Sequence, residues 1–174
     1  FSHNIVTLAG ENQDVMAKST FTAFHSGDGT AHAVVDLTTA YRPRSRRSMR
    51  GVKLVGGRRA VLVQDEFDLS SPCDMTWGMT TDAAVTVEGA TATLRQDGKM
   101  LRARILAPAG ASFTIESAAQ KPPQKRNEGV SRLVIRMKGA GGNTRVAVLL
   151  SPVWPVGGVV DTARIDPLSR WEQR

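Results

Sequence analysis

The side chains of this sequence that could do chemistry are few and widely spaced. His25 and His32 flank a turn at Asp28-Gly29. A two-residue loop there sets His25 directly across from His32, with Ala23 facing Val34 beyond them. Two cross-strand imidazoles with Asp28 in the turn could hold a metal, although surface histidines beside a loop tip are the commoner case. Asp65 and Glu66 are adjacent, so on a strand they point to opposite faces and cannot act as an acid–base pair without a bulge. They read instead as a strand exit, binding backbone amides or nearby arginines. Tyr41, the only phenol, could in principle donate a proton. A packed ring with a hydrogen-bonded hydroxyl is the more frequent fate of such a residue. Trp77 and Trp154 could stack on sugar rings or pack in the core. Cys73 is the only cysteine and lies in the loop-like Ser71-Pro72-Cys73-Asp74, which favours an inert thiol over a nucleophile. The sequence has no Gly-x-Ser-x-Gly elbow, His-Glu-x-x-His or Cys-x-x-Cys pair. Read alone, these residues assemble no catalytic constellation.

The 174 residues carry a net charge of +7, which favours polyanionic partners. Much of the excess sits in Tyr41-Arg42-Pro43-Arg44-Ser45-Arg46-Arg47-Ser48-Met49-Arg50. Aromatic residues make up only 5% of the chain. Single-strand binders stack bases on aromatic platforms, so nucleic acid is not the expected partner. No run of eighteen apolar residues exists, so no membrane span is expected. The chain begins at Phe1 rather than methionine, and upstream sequence is expected to precede it.

The elements that must position these side chains are short β runs between turn residues, the pattern of an antiparallel β-sandwich. A hairpin over 90–105 turns at Asp97-Gly98, a pair suited to a type I′ turn because both central residues need positive φ. It sets Leu94 opposite Leu101, Ala92 opposite Ala103 and Ala90 opposite Ile105 on one face, with Thr93–Arg102 and Thr91–Arg104 on the other. One apolar and one wet face mark a sheet half exposed to solvent. A second hairpin over 50–64 turns at Gly56-Gly57, and its apolar run Ala60-Val61-Leu62-Val63 is expected to be a central strand. A third spans 20–37. Further β runs cover 112–116, 131–137 and 145–150, with Gly139-Ala140-Gly141-Gly142-Asn143 as the linker between the last two. The one helical candidate is 166–173, with Pro167 at its first position. The expected fold is all-β: an antiparallel two-layer sandwich of about ten strands with little helix, residues 1–174 forming a single domain.

Ser2-His3-Asn4 followed by Gly10-Glu11-Asn12-Gln13 resembles a stretch early in the later β-sandwich region of heparinase II/III-like polysaccharide lyases. The similarity continues through Ala33-Val34-Val35-Asp36-Leu37-Thr38-Thr39-Ala40-Tyr41, Val61-Leu62-Val63-Gln64-Asp65-Glu66 and Trp77-Gly78-Met79-Thr80-Thr81. It ends near Val148-Leu149-Leu150-Ser151-Pro152. The order of these phrases carries the resemblance more than any one of them.

The resemblance implies the C-terminal sandwich part of a larger lyase whose N-terminal α/α toroid is absent here. Such enzymes cleave uronic-acid glycans by β-elimination, with the proton-transfer groups upstream of Phe1, so no catalytic residue is expected in this chain. It also implies a zinc site in some parents, His3 being the matching ligand position, with no metal expected on this fragment alone. Arg42, Arg44, Arg46 and Arg47 are candidates for holding an acidic polysaccharide. A periplasmic, cell-envelope or secreted location follows by the same resemblance. A carbohydrate- or polyanion-binding β-domain with no catalytic parent is the alternative reading.

Overall fold

The computed structural model describes residues 3–124 and 126–171. Ser2 of the N-terminal motif, Lys125 of the polar loop and the last two residues of the proposed helix, Glu172 and Gln173, lie outside them. Ten antiparallel strands form one sheet: β1 (Val6–Leu8), β2 (Thr20–Ser26), β3 (Ala31–Asp36), β4 (Ser45–Val55), β5 (Ala60–Thr81), β6 (Ala84–Glu88), β7 (Thr91–Gln96), β8 (Lys99–Ala107), β9 (Phe113–Ser117) and β10 (Ser131–Pro152). The hairpin at Asp97-Gly98 has the expected register, Leu94↔Leu101 and Ala92↔Ala103, with φ of 49° and 71° at the two turn residues. His25 pairs with His32 and Ala23 with Val34, with a bulge between Phe21 and Ala23. The apolar run 60–63 is central, between β4 and β10.

Four expectations need correction. Residues 139–143 do not link two strands, because 131–152 is a single 22-residue strand. Its register against β5 shifts between Met137 and Ala140 and again between Ala140 and Gly142. The glycines supply left-handed conformations at those shifts, with φ of 60° at Gly139 and 56° at Gly142, and so bend the ribbon instead of reversing it. Likewise 71–74 is not a loop and Asp65-Glu66 is not a strand exit; both lie inside the 22-residue β5. The C-terminal candidate is no α-helix but a single 3₁₀ turn, Leu168–Arg170, because Pro167 keeps an extended ψ of 141°.

The bends produce the two layers. Phe67 and Leu69 before the bend in β5, and Met75 and Trp77 after it, have the same parity and so share one face. All four are buried in one cluster with Val6 and Leu8 of β1, Phe113 of β9, Leu133, Ile135, Val146 and Val148 of β10, and Ala92, Leu94, Ala103 and Ile105 of β7 and β8. Only folding the long β5–β10 ribbon over on itself brings these together. The first layer therefore runs β2-β3-β4-β5-β10-β8-β7-β6, using the early half of β5 and the late half of β10. The second runs β1-β5-β10-β9 through their other halves. Each large apolar side chain fully buried this way contributes roughly 1.5–3 kcal/mol. On the outer face of the first layer, Leu168 and Trp171 pack with Val34, Met49, Leu62 and Ala147. Among the described residues no helix is long and apolar enough to cross a membrane.

Candidate functional site

The first layer is eight strands wide and the second four, so β2 and β3 overhang. By register Phe24, Ala33, Val52 and Val63 form one row and Phe21, Val35, Arg50 and Asp65 the next, all on the inward face. Beyond β4 that face is open: Phe21 is 72% and Phe24 76% exposed. The step down to it is built by β1 and the residues before it, so the His3-Asn4 pair stands at the edge of an apolar ledge.

This edge is tied to both layers. The Asn4 side-chain oxygen accepts the Thr80 N–H at 2.7 Å, and the Asn4 carbonyl accepts Arg50 Nη1 at 2.7 Å. The Ile5 carbonyl accepts the Gly78 N–H at 3.1 Å. Arg50 in turn grips Asp65 through Nε at 2.7 Å and Nη2 at 2.9 Å. Burial pushes the Arg50 guanidinium down, but the charge and hydrogen bonds of Asp65 more than offset it and its pKa is raised. Tyr41 lies beside them, buried, its hydroxyl donating to the Val6 carbonyl at 2.9 Å and its ring edge-on to Phe67. Burial, then the nearby Asp65 charge, pushes this phenol well above its ordinary value. Tyr41 is thus a packed strut, and Asp65 an internal counterion.

Asp65 and Glu66 do diverge to opposite faces. Glu66 Oε1 accepts Arg145 Nε at 2.9 Å, Gln64 Nε2 at 2.9 Å and the Leu168 N–H at 3.2 Å, pinning the C-terminal segment to the outer face. The four candidate arginines split into two kinds. Arg44 is held by Glu11 at 2.6 Å and Arg46 by Asp68 at 2.5 Å, and these hydrogen bonds keep both carboxyls below their usual range. Among the described residues Arg42 and Arg47 form no ion pair, and Arg47 lines a cleft of about 540 Å³ with Asp68, Asn143 and Arg145. Trp77 is core, 3% exposed. Trp154 is 42% exposed and donates through Nε1 to the Arg59 carbonyl at 2.9 Å. Cys73 is half-buried against the core.

His25 and His32 stack with ring centroids 5.6 Å apart, and His32 meets the Trp171 edge at 5.9 Å. His3 is exposed. Among the described residues no group of three or more His, Cys, Asp or Glu side chains could close on a metal ion. The residues present therefore fit zinc only as a single possible ligand at His3, and no chemical step is routed through a metal. Sequence reasoning missed the Asn4–Arg50–Asp65 link, because the pairing of Arg50 with Asp65 needs the β4–β5 register carried well past the Gly56-Gly57 turn.

No family model and no curated protein matches the sequence. Solved structures do match. The heparan sulfate lyase from Pedobacter heparinus superposes with a TM-score of 0.72 at 15% identity, over 93% of this chain and 25% of that one. A heparinase III gene product superposes at 0.67 and 19% identity, over 87% of this chain and 24% of that one. A further heparinase III structure gives 0.68 at 15% identity, over 93% and 25%. This chain has the fold of one part of heparinase III. It spans about a quarter of the length of those structures, so the heparinase III likeness concerns the sandwich described above.

Proposed function

We propose that this chain is the β-sandwich part of a heparinase II/III-like lyase that cleaves uronic-acid glycans by β-elimination, and that it does not turn over substrate alone. The observation that carries the reading is the superposition over 93% of the chain on a heparan sulfate lyase at a TM-score of 0.72. β-Elimination needs a base for the C5 proton, an acid for the leaving oxygen and a cation against the uronate carboxylate. Tyr41 and Asp65, the phenol and carboxylate beside Arg50, are both engaged internally, and in this reading the proton-transfer groups belong to the remainder of the enzyme. The apolar overhang of Phe21, Phe24 and Val52 gives that remainder, a toroid on this reading, a surface to rest on. His3 and Asn4 stand at the edge of that ledge, where His3 could supply one ligand to a zinc. Arg42 and Arg47, with no carboxylate partner among the described residues, are the cations offered to the polysaccharide, with Arg44 and Arg46 beside them. Such a substrate is met outside the cytoplasm, in the periplasm, the cell envelope or the medium.

The test pairs turnover with binding. Incubated with heparan sulfate or alginate, the chain alone should release no ultraviolet-absorbing unsaturated uronate, and release would overturn the division of labour. Immobilised heparan sulfate, alginate and duplex DNA are compared at two salt concentrations. Retention of a uronic glycan above DNA at the higher salt supports the reading. Equal collapse for all three is counterion release alone, and leaves a generic polyanion-binding domain.

A further inference from the structure

The outer face of the second layer carries an arginine, Arg132, two of whose nitrogens meet no hydrogen-bond partner among the described residues. Along the early half of β10, Arg132, Val134 and Arg136 alternate onto this face, level with Thr80, Gly78 and Thr76 of β5 and, for Arg132, with Glu116 of β9. Arg132 is only 6% exposed. Its guanidinium lies flat on Gly78: a Cβ at that position would come within 2.3 Å of Nε, 2.4 Å of Nη2 and 2.6 Å of Cζ. The glycine is thus the bed on which the planar group rests. Glu116 is the register partner of Arg132, yet its Oε1 is taken by Arg136, through Nε at 3.0 Å and through Nη2. Among the described residues Nε and Nη2 of Arg132, both shielded from solvent, have no hydrogen-bond partner. These two nitrogens form one edge of the guanidinium, the fork that accommodates two oxygens of a carboxylate or sulfate.

Arg132 and Arg136 line a cleft of about 490 Å³ between this face and the segment 117–124. Lys121 adds a third cation and Gln120 and Gln124 add amides, while Glu116, already paired, is the only acid among the described residues of the lining. Burial pushes the Arg132 guanidinium down, Glu116 opposing and Arg136 reinforcing that push, as befits a cation short of its counterion.

We propose that this cleft is an oxyanion site in which Arg132, with Arg136 at its rim, binds a sulfate or carboxylate group. The site lies on the far side of the second layer from the ledge and stands whether or not the lyase reading does. The oxyanion could be free or carried on a glycan, so both sources are tested.

Inorganic sulfate, a sulfated uronate disaccharide and a neutral disaccharide of the same length are titrated calorimetrically into the full chain. The expected result is binding of both anionic probes, the disaccharide tighter, and none of the neutral sugar. Binding of inorganic sulfate alone would assign the site to free anions and overturn the glycan source. Arg132→Met should weaken anion binding by at least about tenfold, and Arg132→Lys, which keeps the charge but loses the fork, by nearly as much. Gly78→Ala, which lifts the guanidinium from its bed, should do the same while leaving every charge in place. Arg47→Gln, in a different cleft, should change nothing here. Thermal melts confirm that each variant folds. Folded Arg132→Met or Gly78→Ala chains that bind sulfate within twofold of the parent would reduce Arg132 to a packing residue and overturn the proposal.

Discussion

Arg50 and Asp65 face each other across β4 and β5 and close a two-armed ion pair, 2.7 and 2.9 Å, in which the Asp65 side chain is 1% and the Arg50 side chain 22% exposed. Removing one partner strands a charge that the other had neutralised. Arg50→Ala should therefore cost about 3–5 kcal/mol in denaturant unfolding. It also frees the Asn4 carbonyl, so the N-terminal segment should exchange its amides faster. The double variant Arg50→Met with Asp65→Leu should recover most of the loss. A double variant as unstable as the single one would show that the pair is not the source of the cost.

Gly51 is the contact point of the C-terminal segment. A Cβ there would lie 2.3 Å from Leu168 Cδ2 and 2.8 Å from Trp171 Cζ3. Gly51→Ala should lower stability by about 1–3 kcal/mol, the usual range for overpacking, and expose residues 163–171 to proteolysis. Unchanged cleavage there would refute the close packing.

His32 links stability to pH. Burial first and the Lys53 charge second push its pKa down, His25 adds to this, and a hydrogen bond with the Trp171 backbone opposes it. Asp166 and Arg170 share the small cavity beside it, and Lys53 Nζ sits 5.4 Å from the Trp171 ring centroid. Above the unfolded pKa near 6.5 both states hold a neutral imidazole. Below it the unfolded chain takes up the proton first, so stability falls as pH falls until folded His32 itself protonates. Denaturation midpoints at about pH 7.5 and about pH 5.5 should differ less in His32→Gln than in the parent. Equal differences would remove His32 as a cause.

The overhanging face should be dispensable to the fold and sticky in solution. Phe21 and Phe24 are 72% and 76% exposed, so Phe21→Ser with Phe24→Ser should leave unfolding within about 0.5 kcal/mol per site. The same pair should reduce concentration-dependent association in light scattering. A large stability loss would mean that these rings are packed.

The sequence disclosed the hairpins because their turns and alternation are local. Asp97-Gly98 fixed the pairing of Leu94 with Leu101, and the His25–His32 register followed from Asp28-Gly29 in the same way. The breadth of the second layer was hidden because its signals point the wrong way. Pro72 and the run of glycines at 139–142 look like chain reversals, yet Gly141 approaches Pro72 and the Gly139 N–H reaches Asp74 at 3.0 Å. They are the paired bends of a continuous ribbon. Arg132 was invisible for a different reason: an arginine at an alternate position of a strand reads as a solvated side chain. Only the placement of Gly78 opposite Val134 gives its guanidinium room to lie down. The Asp65–Glu66 divergence was legible, since it needs nothing but the pleat.

Because β5 and β10 both thread from one layer into the other, the body has no seam. A wedge driven between its halves would have to tear hydrogen-bonded backbone at the fold of the ribbon, not merely part greasy surfaces. Load applied at the overhang is consequently passed to the far side through backbone, as through a bent beam.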